Sequence, residues 1–398
     1  MKWINRLFLV TFIESFATIL VERGVYFFTR EQLGFGPEQN LWLALAFGVA
    51  YLIGAMSSHA TCRVMRLEKR VLLAAMVAQI VVQSAMAGWS LTGPVIVLGS
   101  LAMGYLNGLK WPVIESYVSA GQTQRAAVST VGRFNVSWAL AVPLALAASG
   151  PIIESRFAPA LFALAVVINL ASLVILTTVA PRPLHLPTDH PDRPSPVELT
   201  RYRSLLSSSR WLMLCSYAFM WILAALLPEI LASLHQPAAR APALSGLLDV
   251  VRVTAFLLLQ RFQGWHNRPG PLVAAMIGLP VGFGLVMFGS TLPMVLGGEI
   301  VFGLCAGMVY YAALYYAMVV KNASVDAGGA HEGLIGLGFA LGPAAALIGV
   351  SLQNALHSPV LGTLVGVGPL WLIASLAAMR PVMALRNLRR QQANTPSN

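Results

Sequence analysis

Ten charged side chains fall inside otherwise apolar stretches: Glu14, Glu22, Arg23, Lys110, Glu115, Arg133, Glu229, Asp249, Arg252 and Glu299. Residues of these types transfer protons and form switchable ion pairs. Asp249 and Arg252 are three residues apart, so on a helix they share a face and can pair. Opening such a pair would leave the carboxylate to take up a proton, tying protonation to a change of shape. A permanent pair that only orients its helix is the simpler alternative. Glu14 lies near the middle of the first apolar stretch with no cation close in sequence. It suits a proton or cation carrier, or a neutral acid hydrogen-bonded to a neighbouring helix. Proton coupling is therefore expected at Glu14, Asp249 and Arg252.

Glu22 and Arg23 are sequence neighbours, so they point about 100° apart on a helix and need partners from other elements. Glu229 and Glu299 are expected at similar depth. Glu22, Arg23, Glu229 and Glu299 thus form an expected outer gate, with snorkelling to water the alternative, above all for Glu229. Glu115 and Arg133 are expected to form a structural inner charge pair. Lys110 beside Trp111 suits an anionic solute, unless the ammonium snorkels instead. Tyr310, Tyr311, Tyr315 and Tyr316, with Trp138 and Trp221, offer walls for sugars, nucleosides or amphiphilic drugs, or plain packing. The expected solute contacts are Lys110, Trp111, Trp138, Tyr310 and Tyr311.

Elements of one kind must position these groups. The 398 residues are 57% hydrophobic and only 10% charged, where soluble domains are about one quarter charged. A net charge of +11 might suggest nucleic acid, but the hydropathy excludes it. Segments long enough to span a bilayer run roughly over 5–29, 41–60, 71–90, 94–117, 130–150 and 157–180. A second set runs over 211–234, 242–262, 270–291, 293–319, 331–352 and 356–380. The first is expected to be a retained span rather than a signal peptide. A charge inside the membrane costs at least about 2.5 kcal/mol and must face protein or a wet cavity. All ten occupy spans 1, 4, 5, 7, 8 and 10, leaving spans 3, 6, 9 and 12 free to face lipid.

The pattern predicts an all-α polytopic membrane protein with twelve transmembrane helices in two pseudo-symmetric six-helix bundles, 1–180 and 211–380. A Pro/Arg-rich cytoplasmic linker, 181–210, joins them, and a basic tail, 381–398, follows. Of 26 basic residues, four lie in spans and three (Arg30, Arg156, Arg240) opposite the termini. The other nineteen share the face of the termini, which the positive-inside rule makes cytoplasmic. The expected location is the cell (inner) membrane. Arg386, Arg389 and Arg390 are expected to meet anionic lipid. Weak matches at an offset near 200 residues (Gly104 and Gly108 with Gly303 and Gly307, Pro143 with Pro343, Glu22 with Glu229) suggest parallel repeats around a midplane cavity. Cys62, Cys215 and Cys305 have no metal-ligand or disulfide spacing. There is no P-loop, no Rossmann fingerprint, and no HExxH, because Ile335 follows His331-Glu332 at the critical place. Neither catalytic residues, nor a metal, nor a cofactor, nor nucleic acid is expected. A membrane-embedded enzyme would need a clustered reactive set, and a sensor a soluble output domain.

Several stretches resemble the major facilitator superfamily. Gly54 to Arg70, GAMSSHATCRVMRLEKR, looks like its loop between spans 2 and 3, with Ser58 and His59 where an acid and an arginine usually stand. Gly336-Leu-Gly338 with Gly342-Pro343 is similar to the Gly-Pro motif of antiporter members; span 5 keeps Pro143 but has Val142 for the glycine. Asn107 to Glu115, Arg133-Phe-Asn135 with Trp138, Tyr311 with Tyr315-Tyr316, and His331-Glu332 resemble a largely uncharacterised prokaryotic branch. Glu22-Arg23 with Tyr26-Phe27 is partly similar to proton-coupled oligopeptide transporters, although Ile19 replaces their first glutamate. The resemblance implies a monomeric, proton-coupled secondary active transporter of a small organic solute, working by alternating access. Amphiphile efflux and peptide or sugar uptake are its two variants.

Overall fold

The structure is a computed structural model that describes residues 2–118, 124–183, 196–321 and 325–394. Long apolar runs leave the backbone one way to satisfy its own N–H and C=O groups within a bilayer, the helix. Fourteen α-helices among the described residues supply the expected crossings. The first half holds α1 (Lys2–Glu22), α2 (Gly24–Leu33), α3 (Pro37–Met65), α4 (Glu68–Trp89), α5 (Gly93–Val118), α6 (Gln124–Glu154) and α7 (Ala160–Leu176). The second holds α8 (Pro196–Ser233), α9 (Ala241–Ser245), α10 (Leu247–Arg261), α11 (Gly270–Met287), α12 (Leu292–Lys321), α13 (Val325–Leu356) and α14 (Pro359–Asn394). Ten segments are long and apolar enough to cross a membrane, with α1–α2 and α9–α10 each counting as one. The other two crossings are α7, apolar but only 17 residues long, and α5, whose 26 residues include Asn107, Lys110 and Glu115.

Two spans are interrupted where their charges sit. Arg23 separates α1 from α2, though its N–H still reaches the Ile19 carbonyl at 3.0 Å. Gly246 separates α9 from α10, three residues before Asp249. The chain leaves α2 through Gly34 at φ +67°, a left-handed cap that glycine adopts without strain, and Pro37 opens α3. Helix boundaries differ from expectation at two places. The stretch 181–210 is helical from Pro196 onward, because a proline is tolerated in a helix's first turn. The rest of that linker, 184–195 with Arg193, lies outside the described residues. The tail 381–398 continues α14 to Asn394, and the side chains of Arg125, Arg386, Arg389 and Arg390 are likewise outside the description.

The helices that carry none of the ten charges inside the spans are among the least buried. The buried share of the most apolar stretch is 22% in α14, 33% in α11 and 39% in α4, against 89% in α8. Val167, Leu170 and Val174 of α7 are exposed too. Between helices, small residues permit close approach. Gly303 and Gly307 of α12 lie against Leu248 and Ala255 of α10, Gly362 and Gly366 of α14 against α13, and Gly338 and Gly342 of α13 against α8. At Gly108 of α5 a Cβ would collide with the Tyr51 carbonyl of α3 and stand 2.9 Å from the Ala55 nitrogen. The halves meet where α13 packs on α3 and where α6 packs on α9 and α10. Gly108→Ala should therefore cost about 1–3 kcal/mol through overpacking and lower the melting temperature in detergent. Gly284→Ala, with nothing within 4 Å of its Cβ, should not, and equal effects of the two would refute this account of the packing.

Candidate functional site

A cavity lies between the halves. The first half lines it with Ser15, Thr18, Ile19, Glu22, Arg23, Tyr51, Trp111, Trp138 and Val142; the second contributes Tyr217, Met220, Trp221, Arg252, Tyr310, Glu332, Ile335 and Phe339. The interrupted helices put charge here. Arg252 and Asp249 pair at 2.6 Å, and Arg23 reaches the other oxygen of Asp249 at 3.6 Å. Asp249 is thus shared by two guanidiniums, one from each half, and all three residues are at most 4% exposed. The Arg252 guanidinium also lies 4.7 Å from the Trp138 ring centroid, a cation–π contact.

Aromatic rings form the rest of the wall. Trp221 stacks on Phe339 at 3.7 Å, and Trp138 meets Tyr310 edge-on at 5.2 Å. Tyr51 and Tyr217 meet Phe339 at 5.1 and 5.5 Å. The indole N–H groups of Trp138 and Trp221 and the Ser15 hydroxyl have no hydrogen-bond partner. A buried donor without an acceptor is costly, so these three groups could take an acceptor reaching the cavity wall.

Of the expected solute contacts, Trp111, Trp138 and Tyr310 line the cavity. Lys110 does not. It forms a fully buried salt bridge with Glu14, which is therefore not the isolated midplane acid the sequence suggested. The Lys110 ammonium also donates to Asn107 at 3.1 Å and Gln79 at 3.2 Å, and Thr18 donates to Glu14 at 2.7 Å. Asn107 in turn donates to Glu22 at 3.1 Å, linking this network to the cavity. Tyr311 does not line the cavity either; it packs on Phe256 and Trp265. Tyr315 and Tyr316 join Tyr202 and Trp265 in the same satellite cluster.

The gate and inner-pair expectations change as well. Glu229 pairs not with Arg23 but with Arg30, at 2.9 Å across the halves near the end opposite the termini. Glu299 accepts the Leu248 N–H at 3.2 Å, satisfying one of the free donors in the first turn of α10. Glu115 and Arg133 do not pair. Arg133 donates to Asn5 at 3.0 Å and lies over Phe8, while Glu115 faces His331 at 3.9 Å. Sequence reasoning missed Glu332, which lines the cavity and accepts a hydrogen bond from Tyr51. Its signals were an acid at the margin of an apolar segment and the adjoining His331. Tyr217 and Phe339 carried none.

The Glu14–Lys110 pair yields a stability test. Removing one partner of a buried pair strands the other charge, at about 3–5 kcal/mol, whereas replacing both is far milder. Lys110→Met should lower the melting temperature sharply, and Glu14→Gln with Lys110→Met should recover most of the loss. A double variant as unstable as the sum of the single ones would show that the two do not interact.

Comparison with known proteins follows from this geometry. The sequence profile of the Major Facilitator Superfamily matches residues 7–380. Among solved structures, the human organic anion transporter MFSD10 (TETRAN) is 16% identical, covering 95% of this chain and 99% of its own, with a TM-score of 0.62. The nucleoside transporter NupG is 13% identical over 96% of this chain and 99% of its own, with a TM-score of 0.67. A point variant of NupG is similar at 14% identity, 94% and 99% coverage, and a TM-score of 0.67. At such identities the likeness shows the fold. Comparison with curated proteins yields no match. Twelve helical crossings around a central cavity and a profile match over nearly the whole length agree: the chain is a multi-pass transporter that belongs to the major facilitator superfamily.

Proposed function

We propose that this protein moves a small organic solute across the cell membrane by proton-coupled secondary active transport, with both termini cytoplasmic and the cavity open to each face in turn. The observation that carries the proposal is the buried, shared Asp249, held by two cavity-lining arginines, Arg252 of its own half and Arg23 of the other. While Asp249 is ionised, it draws the two halves together at this depth. A proton on Asp249 removes most of the attraction for Arg23, and the halves part there at lower cost. The Arg30–Glu229 contact adds a solvated latch near the same end. Exposed pairs of this kind contribute only about 0–1 kcal/mol, so the buried bridge dominates the switch.

The cavity also constrains the solute. Stacked rings favour a flat or amphiphilic body, two unpartnered indole donors favour acceptor atoms on it, and Arg23 with Arg252 favour negative charge or electron-rich groups. Nucleosides and aromatic carboxylates combine these features. They also match what the similarly folded NupG and MFSD10 are described as transporting.

The test uses the purified protein in proteoliposomes with an imposed proton gradient, screened with nucleosides and aromatic organic anions. Wild-type protein should accumulate one of these classes and acidify or alkalinise the lumen as it does so. Asp249→Asn should lose uphill accumulation and keep solute exchange. Full accumulation by that variant would overturn the coupling role of Asp249.

A further inference from the structure

Beside the cavity, nearer the face that carries the termini, Glu115 of α5 meets His331 and Glu332 of α13. We infer that these three residues form a binding site for a divalent first-row transition-metal ion, placed between the two halves. Each offers one ligand atom, and these atoms lie within 4.8 Å of one another. Ligands around a tetrahedral ion with bonds of about 2.0–2.2 Å stand roughly 3.3–3.5 Å apart, so a small contraction of side chains would close the set. Glu115 and His331 are fully buried and Glu332 is 4% exposed.

The ligand set holds a buried imidazole that no neighbour satisfies. Neither ring nitrogen of the fully buried His331 has a hydrogen-bond partner, and the Glu115 carboxyl has only the Glu332 carboxyl beside it as one. Buried polar atoms are normally satisfied, and each orphan is costly. Among the described residues no lysine or arginine forms a salt bridge with Glu115 or Glu332. Arg210, whose field reaches His331, makes none with either acid. A divalent ion would balance two carboxylates beside a neutral imidazole. Nitrogen mixed with oxygen ligands selects zinc, cobalt or nickel over calcium and magnesium. Outside the ligand set, the Tyr51 hydroxyl donates to Glu332 and would fix its direction. Tyr310 packs edge-on against the His331 ring at 5.3 Å. Glu332 and Tyr310 line the cavity, which gives the ion a route in. With one ligand from the first half and two from the second, the ion would tie the halves together below the cavity, at the end away from Arg23 and Asp249.

The experiment titrates chelator-treated full-length protein in detergent with Co2+, read by visible absorption, and then displaces it with Zn2+. One saturable equivalent with ligand-field bands is expected, and Zn2+ should raise the melting temperature. His331→Gln and Glu115→Gln should each lose saturable binding. Tyr51→Phe should weaken it about tenfold or more, as loss of a group that orients a ligand does. His59→Gln, at an exposed histidine, should bind like wild type. Should the two ligand variants fail to fold, Glu115→Asp and Tyr51→Phe decide, through weakened binding and a shifted Co2+ spectrum. Absence of saturable binding by the wild type would overturn the site, leaving the two carboxyl groups to share a proton instead. Binding that none of these variants alters would overturn it equally.

Discussion

A charge surrounded by apolar helices has no water to fall back on, so each one kept inside the bundle demands a partner reaching in from another element. That demand organises the centre of this protein. Glu14 of α1 is answered by Lys110 of α5, Asp249 of α10 by Arg23 from the α1–α2 junction, and Glu299 of α12 by the first turn of α10. Each pairing bridges helices that are distant in sequence, so together they set which helices surround the cavity. The helices without such charges, α4, α7, α11 and α14, are left to the periphery.

The pairings are of two kinds, and the difference bears on movement. Glu14 and Lys110 lie within one half and are braced by Thr18, Gln79 and Asn107. Nothing in a motion of one half against the other would separate them. Asp249 is held across the seam, with its second arginine close enough to keep it compensated when the first withdraws. A pair of the first kind holds one half together, and one of the second kind joins the two halves. Short breaks in the helices at Arg23 and Gly246 bring both sides of the seam pair to the boundary between the halves.

Aromatic rings and carboxylates lie next to each other along this seam. The rings of Trp138, Trp221, Tyr217, Tyr310 and Phe339 make a platform from both halves, so a flat solute would touch both and favour their closure. Below it the Tyr51–Glu332 hydrogen bond joins α3 to α13, the helix pair along which the halves also pack. Glu332 and Tyr51 thus belong both to the cavity lining and to the contact between the halves.

Composition and spacing alone determined that the protein is helical and membrane-spanning, how often it crosses, and which helices stay clear of charge. Those properties depend on hydropathy along the chain, which any window of sequence records. The Asp249–Arg252 pair was legible for a similar reason, since three residues on a helix bring two side chains to one face. Only the tertiary structure decided that Lys110 belongs to Glu14 rather than to a solute, that Glu115 looks to His331 and not Arg133, and that Arg30 rather than Arg23 meets Glu229. Periodicity reports the direction of a side chain from its own helix but not which helix lies opposite. Partner choice across some 100 to 200 residues is set by how small residues such as Gly108 and Gly342 let particular helices approach, and that is a property of the packed bundle.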